Sequence, residues 1–200
     1  MKTPTRPRRR SAELQRADSR RVDLSTFKHD LSPERLAELG IRTLDRLRLN
    51  ALFGSVETLS PTRTVGRGRT NLTIIEPTLV QIDATVPHAR FDMTASPRRR
   101  PALQMHFQAA PYGITAPATY FMIFAVEVTG SATFALDGVH GPGGISNPGT
   151  RVLSGRTTVT LVFKDVAPAQ ELYGYIEQQS GTAWTWFSTQ VTFPPLVISL

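Results

Sequence analysis

Tyr120-Phe121-Met122-Ile123-Phe124-Ala125-Val126-Glu127-Val128 is the stretch on which the fold turns. Phe121, Ile123 and Ala125 fall on one face, and Met122, Phe124, Val126 and Val128 on the other. A strand apolar on both faces must be buried on both, by a second layer of its own chain or by a partner. Thr129-Gly130 then reads as a tight turn into a second strand, Ser131 to Leu136, giving a hairpin.

Outward from this hairpin the periodicity stays at two. Leu72 and Ile74 begin the β region, and Leu79 to Val86 alternates Val80, Ile82 and Ala84 against Gln81, Asp83 and Thr85. Leu103, Met105 and Phe107 alternate with Gln104, His106 and Gln108, so that strand has one wet face. Val159, Leu161 and Phe163 mark another core face, and Leu172–Glu177 and Trp184–Phe193 read as a hairpin around Ser180-Gly181. Eight to ten short strands within about 130 residues, separated by turn signals, predict a mainly β chain folded as an antiparallel β-sandwich, immunoglobulin-like or jelly-roll-like. The run Val166-Ala167-Pro168-Ala169-Gln170-Glu171-Leu172-Tyr173 resembles the tyrosine corner of fibronectin-type and immunoglobulin-like sandwiches, which implies that architecture.

Before the strands the pattern differs. Ser32 and Pro33 form a helix start, Leu36 and Leu39 share a face, and Gly40 closes the helix. Thr43 caps a second helix carrying Leu44, Leu47, Ala51 and Leu52. Leu39-Gly40-Ile41-Arg42-Thr43 resembles a helix-hairpin-helix element, which implies phosphate contact by the hairpin backbone. A plain pair of connecting helices is the leading reading. The expected organisation is a basic arm at 1–22, a short helical segment at 23–59, a basic linker at 60–70 and the sandwich at 71–200.

Charge is unevenly placed. The 200 residues carry +7, of which +6 falls in residues 1–22, so the body is nearly neutral. Arg6, Arg8, Arg9, Arg10, Arg16, Arg20 and Arg21 make that arm suited to a polyanion, since neutralising phosphates releases counterions without a fixed shape. Arg98, Arg99 and Arg100, flanked by Pro97 and Pro101, form a second basic cluster in a loop.

Several chemistries are excluded or unsupported. With no cysteine there is no disulfide frame, thiolate zinc site or Cys nucleophile. His29, His88, His106 and His140 lack metal-ligand spacing, so no metal and no cofactor are expected. The glycine-rich segment 138–149 lacks the Gly-Lys-Ser/Thr ending of a phosphate loop, and no Gly-x-Ser-x-Gly elbow exists. Asp83, Asp92, Glu127 and Asp137 read as surface carboxylates. No catalytic residue is assigned, and the chain is expected not to be an enzyme. No apolar run approaches the roughly 20 residues of a membrane span and no signal-like segment follows the basic start, so a soluble virion or cytoplasmic protein without membrane insertion is expected.

Trp184 and Trp186 share one face of their strand. An indole buries about 150–250 Å², so core filling is the first reading and a ligand-stacking platform the second. A basic arm on a sandwich of this size resembles a small capsid or phage virion component. The sequence therefore predicts a non-enzymatic structural or assembly protein, homo- or hetero-oligomeric, whose arm contacts nucleic acid or neighbouring subunits. The alternative is a β-sandwich binding module for carbohydrate or protein, using Trp184 and Trp186 or the 138–149 loop.

Overall fold

The computed structural model describes residues 26–29, 55–82, 88–94, 100–140, 144–145 and 149–192. The described strands run β1 (Lys28–His29), β2 (Ser55–Leu59), β3 (Asn71–Ile75), β4 (Val80–Ile82), β5 (Ala89–Asp92), β6 (Ala102–Gln108), β7 (Ala118–His140), β8 (Gly144–Ile145), β9 (Gly149–Val166), β10 (Glu171–Gln178) and β11 (Ala183–Thr192). The chain is mainly β and antiparallel, as its periodicity predicts. The basic arm and the helix pair lie outside the described residues.

The expected hairpin at Thr129-Gly130 is absent. β7 continues through it as one strand of 23 residues, and β9 pairs along both halves. The register shifts between Val128 and Ser131, where Gly130 has φ 70, opposite Gly155 with φ 62. Two glycines in the left-handed region let both long strands bend together, so Thr-Gly makes a bulge here and not a reversal.

That bend turns one continuous sheet into two layers. The first layer is β3-β6-β10, the second half of β7 and the first half of β9. The second is β4-β5-β11, the first half of β7 and the second half of β9, with β2 beside the end of β11 and β1 parallel to β9. β10 and β11 therefore do not form the expected hairpin. Both pair with β7, one on each side of its bend, and residues 179–182 cross from layer to layer.

Between the layers Leu103, Met105, Phe107, Phe134, Leu172 and Ile176 meet Phe91, Met122, Phe124, Val159, Leu161 and Trp184. Trp184 joins them, stacked on Phe91 at 4.1 Å and edge-on to Phe134 at 5.2 Å. The opposite face of β7 is dry as well. Phe121 and Ile123 are buried there beside Val162, so the strand is apolar and buried on both faces as read.

The segment expected to be helical contributes β1 and β2, which are part of the sheet. Residues 60–70, read as a basic linker, are held by Glu57, which is only 5% exposed. Its carboxylate accepts from the Tyr112 hydroxyl at 2.7 Å and the Arg67 N–H at 3.2 Å, and pairs with Arg63 at 2.9 Å. A Cβ on Gly66 would stand 2.5 Å from Glu57 Oε2, so a larger residue there would require the carboxylate to shift from its place under the loop.

Candidate functional site

β10 alternates inward Leu172, Gly174 and Ile176 with outward Glu171, Tyr173, Tyr175 and Glu177, as period two requires. The register sets Tyr173 between His106 of β6 and Val139 of β7, and Tyr175 between Gln104 and Asp137. Tyr173 is 36% exposed, the most exposed aromatic side chain among the described residues. The outer face of the first layer thus carries two tyrosines in a polar field.

Their placement is held by neighbours. The His106 ring stacks on Tyr173 with centroids 4.6 Å apart and planes 10° from parallel. One face of the phenol is thereby covered, and Val139, paired with Tyr173 on β7, is itself exposed. The Tyr173 hydroxyl donates to Glu171 Oε2 at 2.6 Å, and Arg69 pairs with Glu171 Oε1 at 3.3 Å. His106 Nε2 is enclosed without a hydrogen-bond partner, 3.7 Å from Glu171 Oε2. The other end repeats the pattern. Tyr175 donates to Glu177 Oε2, Gln179 donates to Glu177 Oε1, and Arg100 lies 3.6 Å from the same carboxylate.

These contacts fix protonation. The Tyr173 hydroxyl, seconded by His106 and Arg69, holds the Glu171 carboxyl below the usual range. The same hydrogen bond raises the Tyr173 phenol. Burial, followed by the Glu177 hydrogen bond and charge, pushes the Tyr175 phenol far up, so both phenols stay protonated donors at any ordinary pH.

The residues singled out in the sequence are placed differently. Arg6, Arg8, Arg9, Arg10, Arg16, Arg20, Arg21, Arg98 and Arg99 lie outside the described residues. Arg100 is described and is engaged with Glu177 and Gln179. Trp184 and Trp186 are 0% exposed and offer no stacking platform. Trp186 Nε1 donates to Thr189 Oγ1 at 3.1 Å inside the core. The 138–149 segment is not a single irregular loop, since β7 runs on to His140 and β8 pairs back against it; residues 141–143 and 146–148 lie outside the described residues. Tyr173 is no tyrosine corner, for its hydroxyl meets a side-chain carboxylate two residues back and not an upstream backbone group. Among the described residues no cluster of three or more His, Asp or Glu side chains is arranged to hold a metal, and no helix is long and apolar enough to cross a membrane.

Tyr173, Tyr175, Glu171, Glu177 and Arg69 are the site residues that sequence reading missed. Their signal was present in the alternation of Glu171-Leu172-Tyr173-Gly174-Tyr175-Ile176-Glu177, where Leu172 and Ile176 send the tyrosines outward.

No protein-family model matches the sequence, and no curated protein matches it. The fold is similar to solved carbohydrate-binding modules. A family 4 module is 10% identical with TM-score 0.42, covering 62% of this chain and 86% of its own. The C-terminal family 22 module of Clostridium thermocellum Xyn10B is 12% identical with TM-score 0.43, covering 73% and 97%. The mannan-recognising module TmCBM27 is 10% identical with TM-score 0.38, covering 70% and 98%. The likeness extends to the sandwich plan only. The expectation of a virion or phage assembly protein with oligomeric or nucleic-acid partners is corrected here: these neighbouring structures are named for carbohydrate binding, and the basic arm on which that expectation rested lies outside the described residues.

Proposed function

We propose that the chain is a non-catalytic β-sandwich binding module whose tyrosine strip takes the sugar rings of a neutral polysaccharide. The observation that carries this reading is Tyr173, 36% exposed on the outer face of β10 with its ring stacked on His106. A sugar ring has an apolar C–H face and a rim of hydroxyls. An open phenol face flanked by carboxylates, amides and guanidinium groups supplies a partner for each. The two glutamates are each balanced by an arginine, so the strip does not demand a charged ligand.

The carboxylates support binding over hydrolysis. Glu171 and Glu177 are six residues apart along one strand, about 20 Å. Glycoside hydrolysis needs two carboxyl groups about 5–9.5 Å apart. Asp137 on the adjacent strand accepts the Gly138 N–H at 2.8 Å.

Calorimetric titration with xylan and mannan oligosaccharides, the ligands named for the modules above or their relatives, and with a wider neutral glycan panel tests the reading. Binding is expected, with affinity falling at least about tenfold in Tyr173→Ala while the melting curve barely moves. A panel without any binding, or release of reducing ends from a bound glycan, contradicts it.

A further inference from the structure

The residues of β10 read the same in both directions about the inward Gly174: the outward face runs glutamate, tyrosine, tyrosine, glutamate, and Leu172 and Ile176 are matching inward neighbours of the glycine. The structure turns this palindrome into geometry. Tyr173 leans towards the start of the strand and donates to Glu171, while Tyr175 leans towards its end and donates to Glu177. A guanidinium from outside the strand closes each end, Arg69 at 3.3 Å from Glu171 and Arg100 at 3.6 Å from Glu177. The two arginines come from unconnected segments, before β3 and before β6, so the repetition is not a by-product of one loop.

Resting on the carbohydrate reading above, we propose that the strip contains two quasi-equivalent subsites for successive units of one neutral glycan chain, one centred on Tyr173 and the other on Tyr175. Each subsite consists of a phenol ring, a carboxylate already oriented by that phenol, and a guanidinium. Surface ion pairs of this kind contribute little to stability, so folding alone gives no reason for two matched sets. A carboxylate fixed by its own tyrosine keeps a free lone pair for a ligand hydroxyl, and the guanidinium keeps N–H groups to donate.

Two residues along a strand separate the Tyr173 and Tyr175 Cα atoms by about 6.5–7 Å, and the rings, leaning in opposite directions, stand further apart than that. The subsites are not identical, because His106 and Val139 flank one ring and Gln104 and Asp137 the other.

The test is an amide-resolved NMR titration of the full chain with a neutral monosaccharide and with its oligomers of two to six units. The wild type, Tyr173→Ala, Tyr175→Ala and the double variant are compared, with Tyr173→Phe and Tyr175→Phe as ring-preserving controls for folding. For the oligomers each single alanine variant is expected to lose about tenfold in affinity and the double variant about a hundredfold, near-additive as for separate subsites. The monosaccharide is expected to shift amides around both tyrosines in the wild type, and around only the remaining tyrosine in each single variant. If one single variant loses as much as the double variant, there is one subsite, and the two-subsite proposal falls while carbohydrate binding stands. If no sugar perturbs the wild type, or only a proline-rich peptide does, both readings fall.

Discussion

β10 and β11 carry the same aromatic spacing with opposite outcomes. Tyr173 and Tyr175 stand outside the first layer, whereas Trp184 and Trp186 stand inside the second with no exposure. The difference follows from side-chain chemistry and from flanking parity. An indole brings about 150–250 Å² of largely apolar surface, worth about 4–6 kcal/mol if removed from water. A phenol hydroxyl must keep a polar partner, and Glu171 and Glu177 supply one only on the outer face. Leu172 and Ile176 take the inward positions of β10, leaving the odd-numbered tyrosines outside. The outer faces of the two layers differ in the same way: Phe121 and Ile123 are buried on one, and Tyr173 is open on the other.

The comparison is most easily broken by moving a charge onto the dry outer face. Phe121→Asp is predicted to place an unpaired carboxylate where no water reaches, at several kcal/mol, on the order of the whole stability of a domain. Circular dichroism should report an unfolded or aggregated chain; a normally melting variant would mean that this face is open. Trp184→Ala should cost about 3–5 kcal/mol in urea denaturation, because it removes the ring that joins Phe91 to Phe134. A cost below about 1 kcal/mol would place that indole at the surface.

A smaller effect is expected at the centre of the palindrome. A Cβ at Gly174 would collide with the Met122 sulfur and approach Leu161 Cδ1 to 3.0 Å. Gly174→Ala should therefore destabilise by about 1–3 kcal/mol through overpacking, with an unchanged melt indicating that the layers are further apart. The smallest effect is electrostatic. The Tyr173 hydrogen bond holds the folded Glu171 carboxyl below its ordinary value of about 4.5, so the unfolded chain binds more protons between those two pH values. The stabilisation is complete above about pH 4.5 and disappears as pH falls through the folded value. Urea midpoints measured from pH 6 to pH 3 should fall more in the wild type than in Glu171→Gln. Parallel curves would show that Glu171 is not coupled to Tyr173 and Arg69.

Much of the architecture was legible because burial leaves a period-two trace. Leu103, Met105 and Phe107 are buried and Gln104, His106 and Gln108 are not, as their alternation predicts. The bend at Gly130 was misread because a bulge and a tight hairpin both require a residue with positive φ, and Thr-Gly satisfies either. Only the partner strand distinguishes them, and Gly155 lies 25 residues further along the chain. The separation of β10 from β11 was hidden for the same reason, since strand pairing is non-local. At the site, alternation alone placed Tyr173 and Tyr175 outside, but Arg69, His106 and Arg100 reach them only through pairings that join segments far apart in sequence. The Arg-rich residues 1–22 dominated the functional reading because charge runs are visible without a fold.

The central claim is that the outer face of the first layer is the binding surface. The measurement that addresses it most directly is cross-saturation transfer from a bound xylo- or manno-oligosaccharide to the backbone amides. The account predicts transfer to β10 around Tyr173 and Tyr175 and to the facing parts of β6 and β7, near His106 and Val139, with none to the amides around Phe121 and Ile123. Transfer concentrated on the second layer, or none to β10 while the sugar is bound, would contradict it.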